Sequence, residues 1–310
     1  MRRWIAVAIV AALALVAPLV LPSFVTFELT YAGAYAIAIL GLIVLTGNNG
    51  QISLGHGAFV AIGAYTVAIA LVRFGLPAWL AVILAIAICG VFGTFVGIVA
   101  LRLSGAYLAL ATFALAVAVP PTLKHFRDVT GGSQGLTLPS LALPAAAAAA
   151  VSADRALYYV TWALFAASCA ATAFVLDGKV GRALRALRDN EIAAISFGIE
   201  PLRYKAFAFG WSAAYAGLAG ALLALATAYV SPDAYPLALS LTLLIGAVLG
   251  GMQTLWGAIV GGLLVEFLPL LAQSISPAAP SIVYGVALII VIIALPVGIA
   301  GAVRNMSLGR

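Results

Sequence analysis

The chain has 310 residues, of which 65% are hydrophobic and 8% charged, with a net charge of +6 and a mean hydropathy of +1.21. Soluble domains carry about 25% charged residues, and disordered chains combine low hydrophobicity with high charge. Both classes are excluded, which leaves a polytopic membrane protein of all-α class.

A spanning helix needs about 20 mostly apolar residues. In chain order, the predicted spans are 4–22, 29–46, 52–72, 78–100, 106–123, 156–176, 206–228, 238–250, 254–272 and 281–300. Their apolar runs are continuous rather than alternating, so helices are favoured over barrel strands. Glu266 is the one formally charged residue inside them. The first span follows Met1-Arg2-Arg3-Trp4 and reads as a retained signal-anchor helix. The eighth is short for a crossing: it is either re-entrant or extends from Pro236 to Gln253.

Loop charge sets the orientation. With about ten crossings and both termini cytoplasmic, the inner side holds Arg2, Arg3, Arg102, Lys179, Arg182, Arg185, Arg188, Arg203, Lys205, Arg304 and Arg310. The outer side holds Arg73, Lys124, Arg127 and Arg155. This satisfies the positive-inside rule and explains the net charge without a nucleic-acid partner. Residues 1–310 read as one transmembrane domain with an outer loop at 124–155 and a cytoplasmic loop at 177–205. No clear internal repeat emerges. Cys89 and Cys169 lie in apolar spans without metal-ligand spacing, so they read as packing residues.

The outer loop contains Gly131, Gly132 and Gly135, which read as turns because no lysine-serine or lysine-threonine pair follows. His125, Asp128, Lys124 and Arg127 beside it read as interfacial charge. The cytoplasmic loop is the most charged stretch. Residues 181–198 are predicted to form one short amphipathic helix, closed by Gly198 ahead of Pro201. Arg182, Arg185, Arg188 and Asp189 share a face at three- and four-residue spacing. Ala183, Leu184, Leu187, Ala194 and Ile195 supply the apolar complement. Composition alone leaves two readings: a connector lying on anionic lipid headgroups, or a docking helix for a cytoplasmic partner.

The order of residues in this loop adds a resemblance. Glu191, Ala193, Ala194 and Gly198 resemble the coupling motif of ABC importer permeases, in which small residues let an ATPase cleft close over the helix. The longer pattern GRALRALRDNEIAAISFGI with RYKAFAFGWSAAYAGLAGALLA (203–224) resembles the M-type permease subunit of branched-chain amino acid (Liv) ABC importers. So do GNNGQISLGHGAFVAIGAYT (47–66), GAYLALATFAL (105–115), TGGSQGL (130–136) and GGMQTLWGAIVGG (250–262), in the same order. Val117 and Val297 depart from the family, which often carries a polar residue and an arginine there.

The resemblance implies a multi-pass inner-membrane permease for branched-chain amino acids, working by alternating access. It implies a second related permease chain, two ATPase subunits and an extracytoplasmic substrate-binding protein as partners. The chain has no phosphate-binding loop ending in Lys-Ser or Lys-Thr. It is therefore expected to be no enzyme and to carry no cofactor, ATP being bound by the partner subunits. Urea, short amides or other amino acids are alternative substrates.

Further candidates sit in the spans. His56, with Gln51 and Ser53 in one polar patch, is a pathway or gate residue or else a packed structural histidine. Glu266 must be protonated, paired or facing water, because a carboxylate at the bilayer centre costs about 2.5–3.5 kcal/mol. It reads as a cavity-lining residue or as one reaching the outer interface. Gly246/Gly250, Gly257/Gly261 and Gly217/Ala221 form close-packing faces. An ion-coupled transporter would embed several ionisable groups near the midplane, and a membrane enzyme would need a convergent catalytic set. The sequence offers neither.

Overall fold

The computed structural model describes residues 14–100, 103, 105–139, 152–273 and 298–307, together with 283, 285, 286 and 289. Most of the first and last predicted spans, Arg102, the alanine run at 145–150 and Val297 lie outside the described residues. Side chains beyond 302 are also outside them.

The fold is all-α and polytopic. Eight described helices match eight predicted spans. They are α1 (Ser23–Leu42), α2 (His56–Val72), α3 (Ala78–Ala100), α4 (Ala106–His125) and α5 (Ala153–Asp177), then, after two short helices, α8 (Pro201–Thr227), α9 (Leu237–Gly250) and α10 (Trp256–Gln273). The short helices between α5 and α8 are α6 (Lys179–Asp189) and α7 (Glu191–Ser196); α11 is Gly298–Ser307. Among the described residues six apolar stretches are long enough to cross a bilayer, including Pro232–Gly250, which adds a 3₁₀ turn to α9; α2 and α10 are shorter.

Three sequence expectations need correction. The third span does not begin at 52: residues 49–55 are unwound, and the helix starts at His56. The second begins earlier than 29, so Glu28 lies inside a membrane helix and is buried. The 181–198 stretch is two helices, not one. Asn190 adopts extended backbone (φ −158°, ψ 104°), and its Oδ1 accepts from the Ala193 N–H at 3.0 Å. Asn and Asp side chains compete in this way with a helix backbone, so the break forms where the cap is.

Small residues set the packing. Lipid offers no hydrophobic drive for helices to associate, so close van der Waals contact must do it. Helix α8 is the central post, with 83% of its apolar window buried, against 17% for α4. Gly217 of α8 lies against Gly63 of α2 on one side and Cys89 of α3 on another. A Cβ on Gly93 of α3 would run into that of Ala213. The predicted glycine faces on α9 and α10 meet each other: Gly250 packs on Gly257, and a Cβ on Gly261 would lie 2.5 Å from the Gly246 carbonyl. These faces are therefore spent on packing within the chain.

The connections sort to two ends. At one end, β1 (Leu136–Thr137) pairs antiparallel with β2 (Tyr229–Val230). Lys124 bridges Asp233 at 2.6 Å, and the Arg73 guanidinium donates to the Asp128 carbonyl at 2.7 Å. Gly131, Gly132 and Gly135 all have positive φ, as turns require. At the other end lie α6, α7, the start of α8, and the loops 49–55 and 251–255, with Gly47 pressed onto the Met252 backbone.

Candidate functional site

The first candidate is the α6–α7 end. Helix α1 does not stop at Leu42 but widens into a π-helical turn, Ile43–Asn48. Such turns recur at functional sites. Helix α6 lays Leu184 into a small core with Val44, Leu45, Leu176, Ala208 and Phe209, and its Ala183 and Leu187 are also buried. Its arginines bind protein carbonyls. Arg182 donates to Asp177 O at 3.2 Å and Arg185 to Leu176 O at 3.1 Å, capping the end of α5. Arg188 forks: Nε and Nη2 hold Asp189 at 2.9 and 2.8 Å, and Nη1 donates to Gly47 O at 2.7 Å. The four charges predicted to form one face therefore divide among four contacts: two carbonyls of α5, the Arg188–Asp189 pair and the Gly47 carbonyl.

Helix α7 is the opposite case. Glu191 pairs with Lys205 at the start of α8 (2.7 Å), which anchors its first turn. Ala194 is buried. Ile192, Ile195 and Phe197 are 79%, 51% and 86% exposed, and Gly198 (φ +79°) closes the helix with nothing near its Cα hydrogens. Two exposed apolar side chains on this six-residue helix and a third on its C-cap, beside an arginine cluster, form a surface without a partner among the described residues.

The unwound 49–55 segment is stitched down by side chains. Thr112 Oγ1 of α4 accepts from Leu54 N–H (3.0 Å), Ser53 Oγ from Gly55 N–H (3.3 Å) and Ser240 Oγ of α9 from Gly57 N–H (2.9 Å). Irregular backbone at membrane depth needs such partners. Gln51 Oε1 accepts from the Asn49 amide at 2.6 Å. His56 is buried, and its Nε2 donates to the Ala38 carbonyl of α1 at 2.8 Å. Because a carbonyl only accepts, the proton sits on Nε2. The three polar residues share one segment as expected, but each already has an internal role.

The second candidate lies toward the other end. Glu266 of α10 and Glu28 of α1 lie close enough to interact. Tyr31 lies beside both. Glu266 also lines a cavity of about 260 Å³ with Tyr35, Leu239, Thr242, Val265, Pro269 and Leu270. The sequence reading missed Glu28, although Glu28, Tyr31 and Tyr35 follow helical spacing and so share one face of α1. Among the described residues no three His, Cys, Asp or Glu side chains gather as a metal would need.

Comparison with known proteins adds the family. Residues 24–295 match the family described as "Branched-chain amino acid transport system / permease component". The chain is 35% identical over 252 residues to the high-affinity branched-chain amino acid transport system permease protein LivM of Salmonella typhimurium, and 34% identical to that of Escherichia coli. Each alignment covers 74% of this chain and 59% of the relative, so the chain spans less than two thirds of their length. It is 29% identical to the LivH permease protein of Salmonella typhimurium over 88% of this chain and 92% of that one. No solved structure matches.

Proposed function

Since this chain belongs to the branched-chain amino acid transport permease family, we propose that it is a transmembrane subunit of an ATP-driven ABC importer and carries part of the pathway for branched-chain amino acids by alternating access. The observation that carries this reading is the apolar surface of Ile192, Ile195 and Phe197 on α7, held outside the long helices by the Lys205–Glu191 pair. An ATPase subunit needs such a helix to grip, with Ala193 and Gly198 leaving room for its cleft to close and the buried Ala194 seating the helix on this chain.

The α6–α7 end is assigned to the cytoplasm. Lys179, Arg182, Arg185, Arg188, Arg203 and Lys205 gather there, whereas Arg73, Lys124, Arg127 and Arg155 belong to the other end. Ten crossings of the inner membrane, both termini inside and one domain over 1–310 complete the arrangement. The partners are two ATPase subunits that bind ATP, a second related permease and an extracytoplasmic binding protein. We assign Gln51, Ser53 and His56 to the joint between helices at the inner end, and Glu266 with Glu28 to the outer half of the pathway. Few charges line this route, which suits a small zwitterion handed over by its binder.

The test is ATP-driven uptake of leucine into vesicles carrying the whole assembly. Uptake that needs ATP and the binding protein supports the importer; leucine uptake driven by an ion gradient alone contradicts it. Glu266→Leu is expected to lower uptake about tenfold, since it leaves the buried Glu28 without its carboxyl neighbour. Glu266→Gln keeps a hydrogen-bonding group and is expected to retain most of it. Equal uptake by Glu266→Leu and wild type, at equal expression, would make the pair structural.

A further inference from the structure

The charges of the α6 run all bind groups of this chain, and one contact joins α6 to the π-helical turn rather than to α5. Arg188 is the next-to-last residue of α6, two positions before the Asn190 break that begins α7. Its stem lies over Gly50: a Cβ there, at φ +73°, would sit 2.7 Å from Arg188 Cγ. Its head reaches Gly47 O in the last residues of the π-helical turn, where carbonyls lose intrahelical partners. Asp189 holds the other edge of the guanidinium and fixes its direction. Gly47 is pressed from its far side by the Met252 backbone. The turn from 47 to 51 is itself tied down, by Thr46 Oγ1 donating to Gln51 O (3.0 Å) and by the Asn49–Gln51 amide pair. It leads directly into Ser53 and His56. At its start, α6 is fastened to α5 through Arg182 and Arg185.

We infer that Arg188 is a positioning residue that carries movement of the α6–α7 helices into the Gly47–Gln51 turn, and through it into the 49–55 segment and α2. This rests on the importer reading above, and it changes the part Arg188 plays there. Its guanidinium faces the permease's own backbone, not the partner. Helix α7 grips the ATPase, the Asn190 break lets α7 tilt, and the Arg188 fork converts that tilt into displacement of the π-helical turn. A bidentate guanidinium suits this part, because it holds direction as well as distance.

The experiment uses the whole assembly with Cys89→Ala and Cys169→Ala, and Ile52→Cys as a reporter. Ile52 lies in the unwound segment and is 49% exposed. Maleimide labelling of this cysteine is compared before and after trapping with ATP and vanadate, so no transported substrate is needed. Trapping is expected to change the labelling rate about tenfold, the factor controlled by one charge-assisted hydrogen bond. Arg188→Met keeps the stem and removes the fork. It should abolish this change while ATPase recovery and ATP hydrolysis stay within about twofold, and Arg188→Lys should restore part of it. A labelling change that survives in Arg188→Met overturns the inference, as does a reporter in the parent assembly that does not respond. Loss of the ATPase from Arg188→Met would instead make Arg188 a docking residue. If Arg188→Met does not accumulate, Asp189→Asn, which frees the fork while keeping the arginine, is held to the same outcomes at reduced size. Failure of the parent chain to recover any ATPase strikes the importer reading itself.

Discussion

A Phe197→Asp chain is expected to insert normally, keep its thermal stability and lose ATP-driven uptake by at least about a hundredfold. Phe197 is 86% exposed, so the folded chain gives up almost no packing when it is replaced. Surface changes of that kind shift stability by about 0.5 kcal/mol or less. The penalty falls on the complex, where a carboxylate would be buried in an apolar groove at a cost of several kcal/mol. The measurement is uptake per amount of inserted chain, with unfolding in detergent as the control. Wild-type uptake with Phe197→Asp would remove α7 from the ATPase interface. Gly198→Asp is expected to act in the same direction, because its positive φ disfavours any side chain and the new carboxylate lands beside the same surface.

The second large effect is structural. Gly220→Leu is expected to prevent a folded permease from accumulating. A Cβ on Gly220 would run into the Val60 carbonyl and lie 3.0 Å from Ala64 N, both on the α2 backbone. Backbone cannot swing aside as a flexible side chain can, so α2 and α8 would have to part. Overpacking a core costs about 1–3 kcal/mol even where side chains yield, and this contact sits on the most buried helix. Size-exclusion chromatography in mild detergent reads the outcome: aggregated or absent protein is expected. A monodisperse chain of normal stability would show that the α2–α8 contact is not the packing that holds the bundle.

The sequence made the long helices legible for a simple reason. Continuous apolar runs such as 78–100 and 206–228 have no other stable form in a membrane. Boundaries were less legible where polar side chains act on backbone. Asn190 breaks the 181–198 stretch through its own cap, and the unwound 49–55 segment and the start of α2 are held by Thr112 and Ser240 from distant helices. Neither partner is visible in a local window. Glu28 stands just before the predicted span at 29–46, at the edge of an apolar run, and its nearness to Glu266 on α10 emerges only from the tertiary fold. The arginines of α6 share a face by spacing, but their targets are carbonyls of α5 and of the π-helical turn. Spacing fixes a direction around a helix, and the destination comes from the tertiary fold.

The central claim is that this chain works only with ATPase subunits held on α7. The most direct measurement is a mild-detergent pull-down of the tagged chain from native membranes, identified by mass spectrometry, with Phe197→Asp as control. The account predicts recovery of an ATPase subunit and a second permease by the wild type, with the ATPase lost and the permease kept in the variant. Reproducible recovery of the intact chain alone would contradict it and point to a self-sufficient transporter.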